Sequence, residues 1–179
     1  MIDELMQRMS DPKQRSLALL AGGTIGLMSG AKATPLAMFA VGLRGLEDQW
    51  RAQHPEFVGG IAERWSEALS FYDATHQDAT NRVLHTVGIP MIAGGFVGML
   101  AAPRYTPPWW IANGSWTLGW VLNFVGHGFF EKGAPAFADD PLSFLAGPAW
   151  DLLRLREKLS SREAEPARAP EPTAHAHPA

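Results

Sequence analysis

The sequence predicts an all-α fold: a multi-pass helical membrane protein with an antiparallel helical hairpin and an amphipathic interfacial helix. Three observations predict it. Long runs carry no charge while polar residues gather in blocks, so the mean hydropathy of −0.07 averages two unlike kinds of segment. Alternation of polar and apolar residues, the mark of a half-buried strand, is almost absent. Seven Trp and nine Phe against two Tyr form an aromatic balance compatible with lipid contact, and also with the core of a soluble helical bundle, the alternative architecture.

Along the chain, residues 1–15 are polar and of mixed charge, and from Ser16 to Leu43 the only charge is Lys32. This apolar segment reads as one long span or as two short helices breaking near Gly30 and Pro35. Lys13, Arg15 and Ala31-Lys-Ala33 give it the outline of a secretory signal, but the sequence stays apolar after Ala33, which favours a retained segment. Residues 44–86 are polar. Within them Ile61, Trp65, Ala68, Leu69 and Tyr72 recur at three- and four-residue spacing, the pattern of an amphipathic helix. Two uncharged runs follow, Val87–Pro103 and Trp109–Phe130, joined by Arg104-Tyr-Thr-Pro-Pro108. As helices they would span about 25 Å and about 33 Å, near the thickness of a bilayer's hydrocarbon layer. Residues 141–155 form a shorter apolar segment expected to be re-entrant or interfacial. The expected organisation is one helical membrane domain over residues 1–159 and a disordered tail over 160–179, which contains His175 and His177.

Composition narrows the chemistry. A net charge of −3 provides no basic field for nucleic acid. Without cysteine, any metal must be held by His, Asp or Glu, a donor set that suits non-haem iron, manganese or zinc. The hairpin places His85 and His127 at one end, because one precedes its first run and the other closes its second. His76 and His85 are nine residues apart, which at about 100° per residue puts them on opposite faces of an unbroken helix. Sharing a site therefore requires a break near Gln77-Asp-Ala-Thr80, where Asp78 or Thr80 can cap a new helix. Three pairs spaced i, i+4 then converge: Tyr72/His76, Asn81/His85 and His127/Glu131. Asn123 lies one turn before His127. Two histidines and a carboxylate suit ferrous iron with open positions, and zinc-dependent lipid hydrolysis is also compatible, as a third reading. A non-catalytic membrane protein with a structural or regulatory histidine site is the second reading.

Tyr72-x3-His76-x4-Asn81-x3-His85-x2-Gly88-x-Pro90, followed by Gly119-Trp120-x2-Asn123-Phe-Val-Gly126-His127-x3-Glu131-Lys132-x2-Pro135-Ala136, resembles the 2-hydroxy fatty acid dioxygenase family over about residues 65–155. This family of small membrane proteins includes a fungal endoplasmic-reticulum member that turns phytosphingosine-derived 2-hydroxy acids into odd-numbered fatty acids. The resemblance implies an integral membrane, Fe(II)-dependent dioxygenase that uses O₂ to shorten a 2-hydroxy fatty acid by one carbon. It implies His76, His85 and His127 as iron ligands, Glu131 as a fourth ligand or base, and Asn81 as an orienting residue, with Tyr72 beside them. Arg82, the nearest fixed cation, is expected to pair with the substrate carboxylate. Residues 16–43 have no obvious place in the family pattern. Oligomeric state is not legible in the sequence.

Overall fold

The computed structural model describes residues 11–164, and all the regular structure among them is helical. The helices are α1 (Pro12–Met28), α2 (Ala33–Gln53), α3 (Ile61–Ala74), α4 (Ala79–Ala101), α5 (Pro107–Val125) and α6 (Ser143–Ala164). α5 runs on into a π-helical turn, Gly126–Glu131, and a short 3₁₀ turn, Ala136–Ala138, precedes α6. Local chemistry sets several starts. Asp11 caps α1 by accepting from the Lys13 N–H, with Pro12 opening the helix, and Asp78 caps α4 by accepting from the Thr80 and Asn81 N–H groups.

The N-terminal apolar segment is two helices, since the chain turns at Ser29–Lys32, where Gly30 adopts φ 91°. This pair is fastened across the α4–α5 turn. Lys32 Nζ donates to the Leu100 and Ala102 carbonyls at 2.6 and 2.9 Å. The Asn113 amide donates to the Met28 carbonyl, and the Tyr105 hydroxyl to that of Ser29. Below these bonds Leu27, Met99, Trp109 and Trp116 form a buried apolar core shared by α1, α4 and α5.

α4 and α5 form the expected antiparallel hairpin, and their backbones touch. A Cβ on Gly95 would lie 2.6 Å from the Trp116 nitrogen and 2.7 Å from the Ala112 oxygen, and Gly88 faces Gly119 with similar closeness. Small residues at the contact allow two apolar helices to approach this far.

α3 is amphipathic, but its inner face is displaced from the expected one. Ile61 is 77% exposed, and the buried stripe is Arg64, Ala68 and Tyr72. The cause is an ion cluster. Arg64 is fully buried, donates to both Asp140 oxygens at 2.8 and 2.6 Å and to Glu47, and lies 3.6 Å above the Trp50 ring. Charge pairing thus brings an arginine to a position that periodicity reserves for an apolar side chain.

Residues 143–155 of the shorter apolar segment belong to α6, which packs on α3. α6 continues to Ala164, beyond the point at which a tail was expected; His175 and His177 lie outside the described residues. Among the described residues one helix, Ala79–Ala101, is long and apolar enough to cross a membrane.

Candidate metal centre

Three chain segments meet at the open end of the α4–α5 hairpin. α3 stops at Ala74, and the break before Asp78 turns His76 inward. His85 follows from the second turn of α4, and His127 from the π-helical end of α5. The three rings stand 4.7–4.8 Å apart between centroids and nearly perpendicular to one another, at 80–88°. They are 1%, 4% and 4% exposed. One ligand atom from each lies within 4.8 Å of the other two.

Hydrogen bonds fix which nitrogens are free. His76 Nδ1 donates to the Tyr72 carbonyl at 2.8 Å, and His85 Nδ1 to the Asn81 carbonyl at 3.0 Å. Both bonds run i to i−4 and leave the Nε2 lone pair for the centre. His76 Nε2 and His127 Nδ1 are buried without partners, a costly state for isolated imidazoles and a natural one for metal ligands. Burial, reinforced by His85, lowers the His76 pKa to about 3, although its bond to the Tyr72 carbonyl opposes the shift. This ring is therefore neutral over the physiological range, the form that binds a metal. Three buried neutral imidazoles fit a first-row divalent ion.

Glu131 sits beside this trio and faces another way. Its carboxylate accepts from the Gln77 N–H at 2.9 Å, the Asp78 N–H at 3.0 Å and the Asn81 amide at 2.9 Å. Burial alone would raise its pKa, but these three bonds outweigh it and hold the group below its ordinary value. The carboxylate closes the helix break against the start of α4, where the helix dipole also favours an anion. Asn81 is fully buried and links Glu131 to His85, since its amide serves one and its carbonyl the other. Tyr72 stacks on His76 at 3.8 Å, and its buried hydroxyl has no partner. Burial, with Asp151 nearby, raises the Tyr72 pKa, so the phenol keeps its proton.

Arg82 lies on the outer side of the break. It donates to the His76 carbonyl, approaches Asp73 at 3.7 Å and lies over the Trp150 ring. From there it bears on the centre through the His76 backbone. Sequence reasoning did not find Ser143, whose buried hydroxyl has no partner, nor Arg64 and Asp140.

The trio opens into an apolar cavity of about 320 Å³. Ile89, Ile92 and Phe96 of α4 line one side, Trp116 and Trp120 of α5 another, and Phe137, Phe144 and Pro148 a third. Tyr72, Asn123 and Ser143 are its few polar contributors besides the histidines. Asn123 Oδ1, like the Tyr72 and Ser143 hydroxyls, is buried and unpaired. An apolar tube with a few polar groups gathered at one end suits a ligand with a long hydrocarbon part and a small polar head.

Comparison with known families agrees with this geometry. The family model described as "2-hydroxy-palmitic acid dioxygenase Mpo1-like" matches residues 62–159, just over half of the chain. No curated protein and no solved structure matches it.

Proposed function

Since the chain belongs to the Mpo1-like family, we propose that it is a dioxygenase of 2-hydroxy fatty acids that uses ferrous iron held by His76, His85 and His127. The observation that carries the reading is the trio of unprotonated, buried imidazoles lining an apolar cavity. Bound Fe(II) would supply O₂ activation and a chelating site for the adjacent hydroxyl and carboxylate of the substrate. The stoichiometry closes with one O₂: the C1–C2 bond breaks, C2 becomes the new carboxyl carbon, and C1 leaves as carbon dioxide with one water. No external reductant is required.

The chain's own residues position and shield this chemistry. Asn81 and the Tyr72 carbonyl orient two of the rings, and Glu131 anchors the helix break by which His76 reaches the centre. The Tyr72 and Ser143 hydroxyls are donors free to meet the substrate head. Arg82 steadies the His76 backbone, and its cation adds attraction for a carboxylate entering from the surface. The apolar walls hold the alkyl chain and keep bulk water away.

A membrane setting supports access for such a substrate. Besides α4, a belt of exposed apolar side chains, including Ile25, Val41, Val97, Ile111 and Val121, surrounds the helices. Tyr105 and Trp110 lie exposed beside Arg104, as interfacial aromatics do. We read the protein as embedded in the membrane, with α5 and the N-terminal pair accompanying α4.

Purified in detergent and loaded anaerobically with Fe(II), the protein should consume O₂ on addition of 2-hydroxypalmitate. The product should be pentadecanoic acid by mass spectrometry. His127→Ala should lower the rate at least a hundredfold while the chain stays folded. Unchanged turnover in that variant would overturn the reading, and retention of zinc with ester hydrolysis would replace it.

A further inference from the structure

The family match begins at residue 62, yet the cavity wall does not. Phe39 and Leu43, both on α2, contribute to its lining. Their place along the cavity follows from the order of lining residues on the hairpin. From His85 the wall passes through Ile89 and Ile92 to Phe96, and from His127 through Trp120 to Trp116. Each path covers eleven residues of antiparallel helix, about 16 Å at 1.5 Å per residue. At the far end the Phe96 ring meets Trp116 at 5.9 Å and Phe39 at 6.1 Å, the latter edge to face. Phe39 therefore stands opposite the histidines, at the other end of the tube.

Its position is held firmly. Lys32, at the start of α2, is bonded to two carbonyls at the C-terminal end of α4. Behind it the α1–α2 contact is close-packed: a Cβ on Gly26 would lie 2.9 Å from Pro35, and one on Gly42 would lie 2.9 Å from the Ser16 carbonyl. A wall fixed in this way measures length, whereas a mobile one would yield to a longer ligand.

We propose that α2 is the chain-length gauge of this protein, with Phe39 as the stop against which the terminal methyl of the acyl chain rests. The inference rests on the fatty-acid reading of the site. With bonds of 1.52 Å and angles near 111°, an extended alkyl chain advances about 1.25 Å per carbon, so ~16 Å accommodates about 13 carbons beyond the polar head. The preferred substrate is then a 2-hydroxy acid of roughly 14–16 carbons, and the determinant of that preference lies outside the family-matched segment.

The test compares wild type, Phe39→Ala, Phe39→Trp and the outward-facing control Val41→Ala as full chains in detergent. Saturated 2-hydroxy acids from ten to twenty-two carbons are assayed by O₂ uptake. Binding of the corresponding unhydroxylated acids is measured in parallel by displacement of a fluorescent acyl probe. Phe39→Ala should move the optimum at least two carbons longer, and Phe39→Trp should lower rates on the longest good substrates at least tenfold while sparing shorter ones. Val41→Ala should keep the wild-type profile. Superimposable profiles in all four proteins, or no acyl binding at all, would overturn the proposal. If no acid supports O₂ uptake but the binding profile shifts with Phe39, the gauge stands and the oxygenase reading falls.

Discussion

Gly126 shows how narrowly single side chains define this centre. A Cβ there would collide with Asn81 Oδ1, and Asn81 joins Glu131 to His85. Gly126→Ala should therefore reduce iron occupancy at least tenfold and destabilise the fold by about 1–3 kcal/mol, the usual cost of overpacking. Metal analysis and thermal unfolding in detergent check this, with Gly114→Ala, which faces open space on the same helix, as an unaffected control. Asp151 gives a pH signature. Burial raises its pKa to about 6, with Arg82 pulling the other way, from an ordinary value of 3.8. The folded state thus binds this proton more tightly than the unfolded state, so stability falls as pH rises from about 4 to about 6. Asp151→Asn should flatten that part of the urea-unfolding profile. At this scale the Asn81/His85 pair was legible because both lie four apart on α4, and the meeting of the three histidines followed from the hairpin and the break at Asp78. Arg64 was not legible, because its burial depends on Asp140, 76 residues away.

Among the elements, the hairpin and the break at Asp78 could be read from charge-free runs and a capping residue. The π turn could not. Read as α-helix, His127 and Glu131 share a face; in the wider turn Gly126–Glu131 the carboxylate swings toward Gln77 and Asp78 instead. Such turns are set by tertiary demands at functional sites and leave no periodicity to find. The left-handed Lys132 then ends the helix. The N-terminal pair also depends on one element junction. Lys32 supplies a cation and two hydrogen bonds to the carbonyl end of α4. Lys32→Met should cost about 1.5–3 kcal/mol, the range for bonds to a charged group, measured by chemical unfolding in detergent. If α2 gauges chain length, the same substitution should also blunt the preference among 2-hydroxy acids.

For the whole molecule, composition and patterning were enough to give an all-α class, and hairpin topology placed two histidines together. They did not reveal that Phe39 and Leu43 of α2 help to wall the cavity, since Phe39 and Phe96 meet across a separation no local pattern records. The three candidate ligands come from a loop, a helix start and a helix end, and no two lie on one continuous turn. A metal held by this trio would therefore find no complete site on a partly folded chain, and its capture would be coupled to folding. The same three segments also contribute to the wall of the apolar cavity. If the ion is the proposed iron, an oxygen-reactive metal would be held only where the shielding walls have also formed.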